Sequence, residues 1–313
     1  MFQAAKALFI YCVSPVHMGA GTSIGVIDNP IQRERHTEYP LMAGSGLKGA
    51  VRHQFWSQLD DSRRKDKTNL LNRLFGPETD ASDHAGAISF GDAQLVAFPV
   101  RSLKRGYVYA TSPLALARAA RTLGMAGHPL VWNLTVEEGH CRLTNPDLLS
   151  NHHLALEAFE FTAHLDTGLR AVAEWLAVHA LPASAAYAFF RDKLRDDLVL
   201  LSDTDFGYFT RNATVVEPHV RINDESGTAD DGGLFYTENL PPESLLLTVA
   251  MASVERYRKD KPGDWRTAAE VLDAVVYGRG EGVPFGGLHE QLAQVGGDAT
   301  TGRGQVLFTA VEG

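Results

Sequence analysis

At 313 residues, 44% hydrophobic and 21% charged, the chain is long enough to bury a core without disulfides or a structural metal. Its two cysteines, Cys12 and Cys141, make no CxxC or Cys/His ligand spacing, so they argue against a zinc site and read as buried, reduced thiols. The formal net charge of −9 argues against a polyanion partner, but residues 1–136 carry 15 Lys/Arg against 10 Asp/Glu and residues 137–313 carry 14 against 28.

Residues 4–16 read as a buried first strand. The apolar run 7–13 is too short and too weakly flanked by basic residues for a signal peptide, and nothing approaches the ~18–20 apolar residues of a membrane helix. The protein is therefore expected to be cytoplasmic, with no membrane partner. A loop bearing Gly19, Gly21 and Gly25 follows and runs through Asp28-Asn29-Pro30 to Pro40. A second cluster, Gly44-Ser45-Gly46-Leu47-Lys48-Gly49, opens a helix on which Leu47, Val51, Phe55 and Leu59 recur at helical spacing. Residues 60–69 are predicted to be a mobile loop, 87–90 and 94–100 strands, and Ser112-Pro113 the start of a helix reaching Leu123. Along 157–165, Phe159, Phe161, Ala163 and Leu165 alternate with polar residues, which predicts a strand with these four on one side. Helices are expected over 169–180 and 185–194, a long hairpin or flap over the polar stretch 211–240, and an apolar strand over 245–253. Asp264 is expected to cap a helix with Trp265, Ala268, Leu272 and Val275 in register. Glycines 296, 297, 302 and 304 precede a last strand over 305–311. Strands and helices interleave without steady βα alternation, so the expected class is α+β.

Gly44-x-Gly46-x-x-Gly49 matches the dinucleotide fingerprint literally. The strand before it would be short and contain Pro40, and the charged run 63–67 stands near where a ribose-binding acid is expected. A helix start with glycines, Lys48 and Arg52 suits a phosphate of any origin, so an RNA backbone fits at least as well; close helix–strand packing is the plainer alternative. Gly302-Arg303-Gly304, with Gly296 and Gly297 upstream, is a second backbone-accessible loop carrying a guanidinium, or a simple turn. Two such loops fit one extended polyanion groove. Between Ala93 and Val136 there is no acid, while Arg101, Lys104, Arg105, Arg118 and Arg121 suggest a basic face. Taken singly, Asp28 reads as an Asx-turn before Pro30, His17 as a hydrogen-bonded strand-end histidine, and Glu238 as a loop carboxylate. No HExxH, GxSxG or complete Walker A motif occurs.

In order and company, these pieces say more. The segment ALFIYCVSPVHMGAGTSIGVIDNPI (7–31), Gln32-Arg33-Glu34 and the 44–50 helix start resemble the RAMP superfamily, and within it the backbone subunits of type III-B CRISPR effectors, the Cmr complexes. The likeness continues through 88–106, 185–211 with LLSDTDFGYFT, GGLFYTENLPPE (232–243) and GGDATTGRGQV (296–306), nearly the whole chain. It implies a single modified ferredoxin-like, RRM-related domain over 1–313 with insertions, in which 211–240 is a thumb-like β-hairpin pushing between bases of a guide–target duplex. Copies would stack on one another along a guide (CRISPR) RNA, joined by other subunits of the effector, and cut complementary target RNA once per subunit. The implied guide-binding residues are Lys48, Arg52, Gly44, Ser45 and Gly46, with Gly296, Gly297, Gly302, Arg303 and Gly304. Asp28 is the implied catalytic residue, with His17 and Glu238 near it. Since an ordinary carboxylate is a poor base toward a 2′-OH at neutral pH, Asp28 is expected to hold a divalent cation, Mg or Mn, or to orient the RNA. The products would be a 2′,3′-cyclic phosphate and a 5′-hydroxyl. The alternatives are a non-catalytic guide-binding filament subunit and a guide-processing endoribonuclease.

Overall fold

A strand covered on both faces needs an unbroken apolar run, and residues 7–12 supply one. In the computed structural model, which describes residues 2–21, 26–66, 69–77, 84–256 and 265–312, strand β1 (Ala4–Cys12) has a neighbour on each side. Leu8, Ile10 and Cys12 enter one core, while Ala7, Phe9 and Tyr11 enter a second on the opposite face.

Strand β2 (Leu41–Met42) leads into helix α1 (Gly44–Ser57), which buries Leu47, Val51 and Phe55 as its periodicity predicts. Helices α2 (Asp61–Lys65) and α3 (Leu70–Phe75) follow. The predicted loop over 60–69 is thereby corrected: the Asp60 carboxylate accepts from Arg63 N and caps a helical turn, while residues 67–68 lie outside the described residues. Strands β3 (Ile88–Phe90) and β4 (Ala93–Arg101) agree with expectation, and β5 (Tyr107–Thr111) was not anticipated. Ser112 caps α4 (Pro113–Met125), with Pro113 in the first turn where its missing N–H costs nothing.

Next come β6 (His140–Leu143), β7 (His153–Leu156) and β8 (Phe159–Leu165). On β8 Phe161 is buried while Phe159 and Leu165 are exposed, because this strand lies next to the sheet edge and its ends are left uncovered. Helices α5 (Thr167–His179) and α6 (Ala188–Asp196) are followed by β9 (Leu198–Leu201) and α7 (Asp203–Asn212). Helix α7 claims Arg211 and Asn212 from the predicted hairpin, which is otherwise present as β10 (Val215–Ile222) and β11 (Ala229–Asn239). Strand β12 (Leu245–Ala252), helix α8 (Ala268–Tyr277), β13 (Gln291–Gln294) and β14 (Gln305–Ala310) complete the chain. Asp264 lies outside the described residues. Thr267 and Glu270 form the capping box that starts α8, so Trp265 precedes the helix.

The main sheet runs β13-β14-β1-β12-β4-β5-β9-β6-β8-β7, with β2 added on β4 and β3 on β12. Pairing is antiparallel except for β5 with β9 and β6 with β8. Leu47, Leu74 and Val275 bring α1, α3 and α8 to the first core. Leu116, Leu176 and Leu194 bring α4, α5 and α6 to the second. The result is the mixed α+β class. Both cysteines are free and buried, and burial pushes the Cys141 thiol up to about 12, so they serve as core packing. The β10–β11 hairpin forms a separate two-stranded sheet whose Val216, Val220, Ile222 and Leu234 are exposed. No helix among the described residues is long and apolar enough to cross a membrane.

Candidate functional site

Beyond β1 the chain runs along a strip from Val16 to Ala20 that three other segments share. Val16 exchanges backbone hydrogen bonds with Leu240, just past β11, both at 2.9 Å. Gln32 N donates to Met18 O at 2.8 Å and Ala20 N to Pro30 O at 2.9 Å, so the Asp28 loop folds back onto the strip. The loop then adds itself to β11 as a short parallel segment: Asn29 N donates to Tyr236 O at 3.0 Å and Glu238 N to Asn29 O at 2.9 Å. Asp28 is exposed, and its Oδ2 accepts from Tyr236 N at 2.7 Å. Its Oδ1 takes no hydrogen bond among the described residues. A turn-forming aspartate would bond its own chain two residues on; this one bonds a residue 208 positions away.

Glu238 is buried, and its carboxylate is fully engaged. Oε1 accepts from Arg33 Nη2 at 2.5 Å and Thr214 Oγ1 at 2.8 Å, and Oε2 from Ile31 N at 3.1 Å. Its backbone oxygen accepts from His17 Nδ1 at 2.7 Å. A carbonyl can only accept, so Nδ1 carries the hydrogen and the neutral ring keeps its lone pair on Nε2. Glu238 thus holds the loop and His17 in place, while Asp28 is the acid that meets solvent.

At the α1 start, Gly44 N donates to Asp92 Oδ1 at 2.8 Å and Ala43 N to Gln32 Oε1 at 3.0 Å. Ala43 offers no side-chain cap, and the amides of Ser45 and Gly46 find no acceptor among the described residues. A Cβ on Gly44 would stand 2.2 Å from Phe90 O, so this glycine exists for backbone contact between α1 and β3. The strand before α1 is two residues long and antiparallel to β4, which is not the βαβ unit a dinucleotide site requires. Lys48 is half-buried with no ion pair or hydrogen bond among the described residues; burial, then the nearby Arg52 charge, lower its pKa. Arg52 instead donates to Gly76 O and Asn72 Oδ1, each at 2.7 Å, and ties the end of α3 to α1.

The terminal glycine loop lies on the other side of the strip. Gly297 N donates to His17 O at 2.9 Å and Gly304 N to Pro15 O at 2.8 Å. Gly296 has φ +83°, and a Cβ there would lie 2.3 Å from His17 O. Gly302, at φ +80°, has open space around it. Arg303 reaches β10 and grips Glu217 through Nη2–Oε1 at 2.6 Å and Nε–Oε2 at 3.2 Å. Met18 closes the arrangement, its methyl 2.7 Å from where a Gly46 Cβ would be. The two glycine clusters therefore flank one strip.

The expected basic face is less complete. Arg118 is buried, paired with Glu34 at 2.6 Å and bonded to His36 at 2.8 Å, because α4 packs its polar edge onto the 34–36 turn. Arg105 pairs with Asp147 at 3.1 Å and Lys104 with Leu149 O, and both stay exposed, as do Arg101 and Arg121. Sequence inspection gave no role to Arg33, Thr214 or Asp92. Nothing local separates Arg33 from Arg35, which is exposed two residues on.

No group of three or more His, Cys, Asp or Glu that could hold a metal exists among the described residues. One free carboxylate oxygen, on Asp28, still suits a Mg-like ion, which is commonly held by one or two carboxylates plus substrate phosphates and waters.

Comparison with known proteins gives concordant results. The chain matches the family model of the RAMP superfamily over residues 9–307. It is 32% identical over 304 residues to the CRISPR system Cmr endoribonuclease Cmr4 of Pyrococcus furiosus, covering 97% of this chain and 94% of that one. The crystal structure of oligomeric Cmr4 from Pyrococcus furiosus matches with a TM-score of 0.68 at 24% identity, covering 99% of this chain and 98% of the other. A chain of the type III-B Cmr-beta complex bound to cognate target RNA matches with a TM-score of 0.71 at 18% identity, with the same 99% and 98% coverage. The two structural likenesses establish the fold.

Proposed function

The chain belongs to the RAMP superfamily, and from that premise we propose that it is a backbone subunit of a type III-B CRISPR effector, an endoribonuclease that cuts guide-paired target RNA at Asp28. The observation that carries this reading is the docking of the Asp28 loop on β11, which holds one carboxylate oxygen and leaves the other exposed at the base of a projecting hairpin.

RNA brings its own nucleophile, the 2′-OH, so cleavage chiefly requires that this oxygen, the phosphorus and the leaving 5′-oxygen be held in line. The β10–β11 hairpin, with Val220, Ile222 and Leu234 exposed, acts as a thumb that unstacks one base at each step, at a cost of a few kcal/mol. Asp28 orients the bent phosphate, and His17 is held by the backbone oxygen of Glu238, two residues along β11 from the Tyr236 amide that anchors Asp28. Asp28 would hold a divalent cation through its unbonded carboxylate oxygen, and such an ion would supply charge neutralisation at the phosphate. The products are a 2′,3′-cyclic phosphate and a 5′-hydroxyl. The guide backbone lies along the α1 start, where Lys48 and the Ser45 and Gly46 amides face a phosphate, and the terminal loop offers its own glycine backbone. Arg52 and Arg303 shape that groove through their internal bonds. The frame is a modified ferredoxin-like fold, and copies stack along the guide with other effector subunits, in the cytoplasm.

The test is a cleavage assay of the reconstituted guide complex, wild type against Asp28→Ala, with and without chelator. Regularly spaced cuts should vanish in the variant while guide binding persists. Undiminished cutting by Asp28→Ala would place the chemistry elsewhere. Cleavage of precursor repeat RNA by the isolated chain would favour a guide-processing role.

A further inference from the structure

We propose that Arg33 is a positioning residue for cleavage, acting on the Asp28 loop through the buried carboxylate of Glu238. This rests on the reading of Asp28 as the cleaving residue. An ionised carboxylate buried as deeply as Glu238 is tolerated only when paired and hydrogen-bonded. Its donors come from both sides of the site: Thr214 at the foot of the hairpin, and Ile31 N and Arg33 from the chain just past Asp28. Two residues earlier on the same strand, Tyr236 N holds Asp28 itself. One carboxylate on β11 therefore sets the register of the loop against the strand that orients the reactive side chain. Arg33 anchors the arrangement to the body of the protein, since its Nη1 donates to Thr210 O at the end of α7 at 2.9 Å and to Glu38 O at 2.7 Å. Glu238 is then a positioning residue too, with its carboxylate spent on the loop. A guanidinium reaches all three acceptors at once, and an ammonium on a shorter reach does not.

The experiment measures single-turnover target cleavage at saturation, together with guide and target affinity, on the assembled complex. The variants are Arg33→Ala, Arg33→Lys, Thr214→Val and Asp28→Ala. Arg33→Ala should slow saturated cleavage roughly 10- to 100-fold with target affinity unchanged, since small misplacements of a reacting group cost rate on this scale. Arg33→Lys should recover part of the loss, and Thr214→Val, which removes one donor and keeps the ion pair, should slow cleavage a few-fold. Wild-type cutting by Arg33→Ala while Asp28→Ala is inert would overturn the proposal. If Asp28→Ala itself cuts normally, the cleavage reading fails and this inference falls with it. Should Arg33→Ala not assemble, Thr214→Val decides: an unchanged rate sinks the idea.

Discussion

Lys48 and Arg303 occupy matching settings in the sequence, each a cation within a glycine-rich segment, and the two segments flank the same His17 strip. Their charges are spent differently. Arg303 grips Glu217 with two nitrogens and so joins the terminal loop to the hairpin. Lys48 meets no anion among the described residues, and its pKa is lowered first by its partial burial and then by the Arg52 charge beside it. A guanidinium's fork matches a carboxylate and is readily consumed within a fold, whereas an ammonium is a point charge that a phosphate can still claim. A basic motif therefore reports how many cations are present; the fold decides which remain available.

The largest expected effect falls on the available one. Lys48→Ala should weaken guide RNA binding about 10-fold and make the log–log salt dependence shallower by about one phosphate contact. In the wild type, guide affinity should begin to fall on the alkaline side below the ordinary lysine range, and this decline should disappear in the variant. An unchanged salt slope in Lys48→Ala would break the contrast. Arg303→Ala should leave that slope unaltered and instead lower the melting temperature by about 2–4 °C, as loss of a partly buried bidentate pair does in a chain of this size. A weakened, salt-dependent guide affinity in Arg303→Ala would merge the two cases.

The smallest effect concerns stability at Lys48 itself. Because its pKa is lowered, the folded state holds this proton less tightly than the unfolded chain does. Its charge is therefore destabilising below the depressed pKa, neutral pH included, and the penalty fades as pH climbs to the unfolded value. Lys48→Met should raise the melting temperature at pH 7 by about 1–2 °C and by less at alkaline pH, while guide affinity drops. Differential scanning calorimetry at two pH values checks the sign.

Much of the fold was legible from short-range pattern. The apolar run 7–13 announced a buried first strand, which ends at Cys12 and not at 16 as expected, and Leu47, Val51 and Phe55 announced α1. Ser112-Pro113 marked the start of α4, and the polar 211–240 stretch proved to hold a hairpin. The misses share a cause. Strands β5 and β9 are short, and their apolar residues are compatible with helix or strand until neighbours supply hydrogen bonds. Arg118 looked like surface charge because its partner, Glu34, is 84 residues away.

The candidate site divides along the same line. Sequence alone determined the family likeness, carried by the residue types and order of the loop of Asp28, the glycine-rich start of α1 and the terminal glycine turn. Tertiary structure alone decided that Arg33 neutralises Glu238 from 205 positions away, that Asp28 hangs from Tyr236 N, and that Lys48 is available while Arg52 and Arg303 are engaged. Backbone propensity acts over a few residues and is written locally. Burial and charge pairing depend on which distant segments are brought together, and that exists only once the sheet has closed around them.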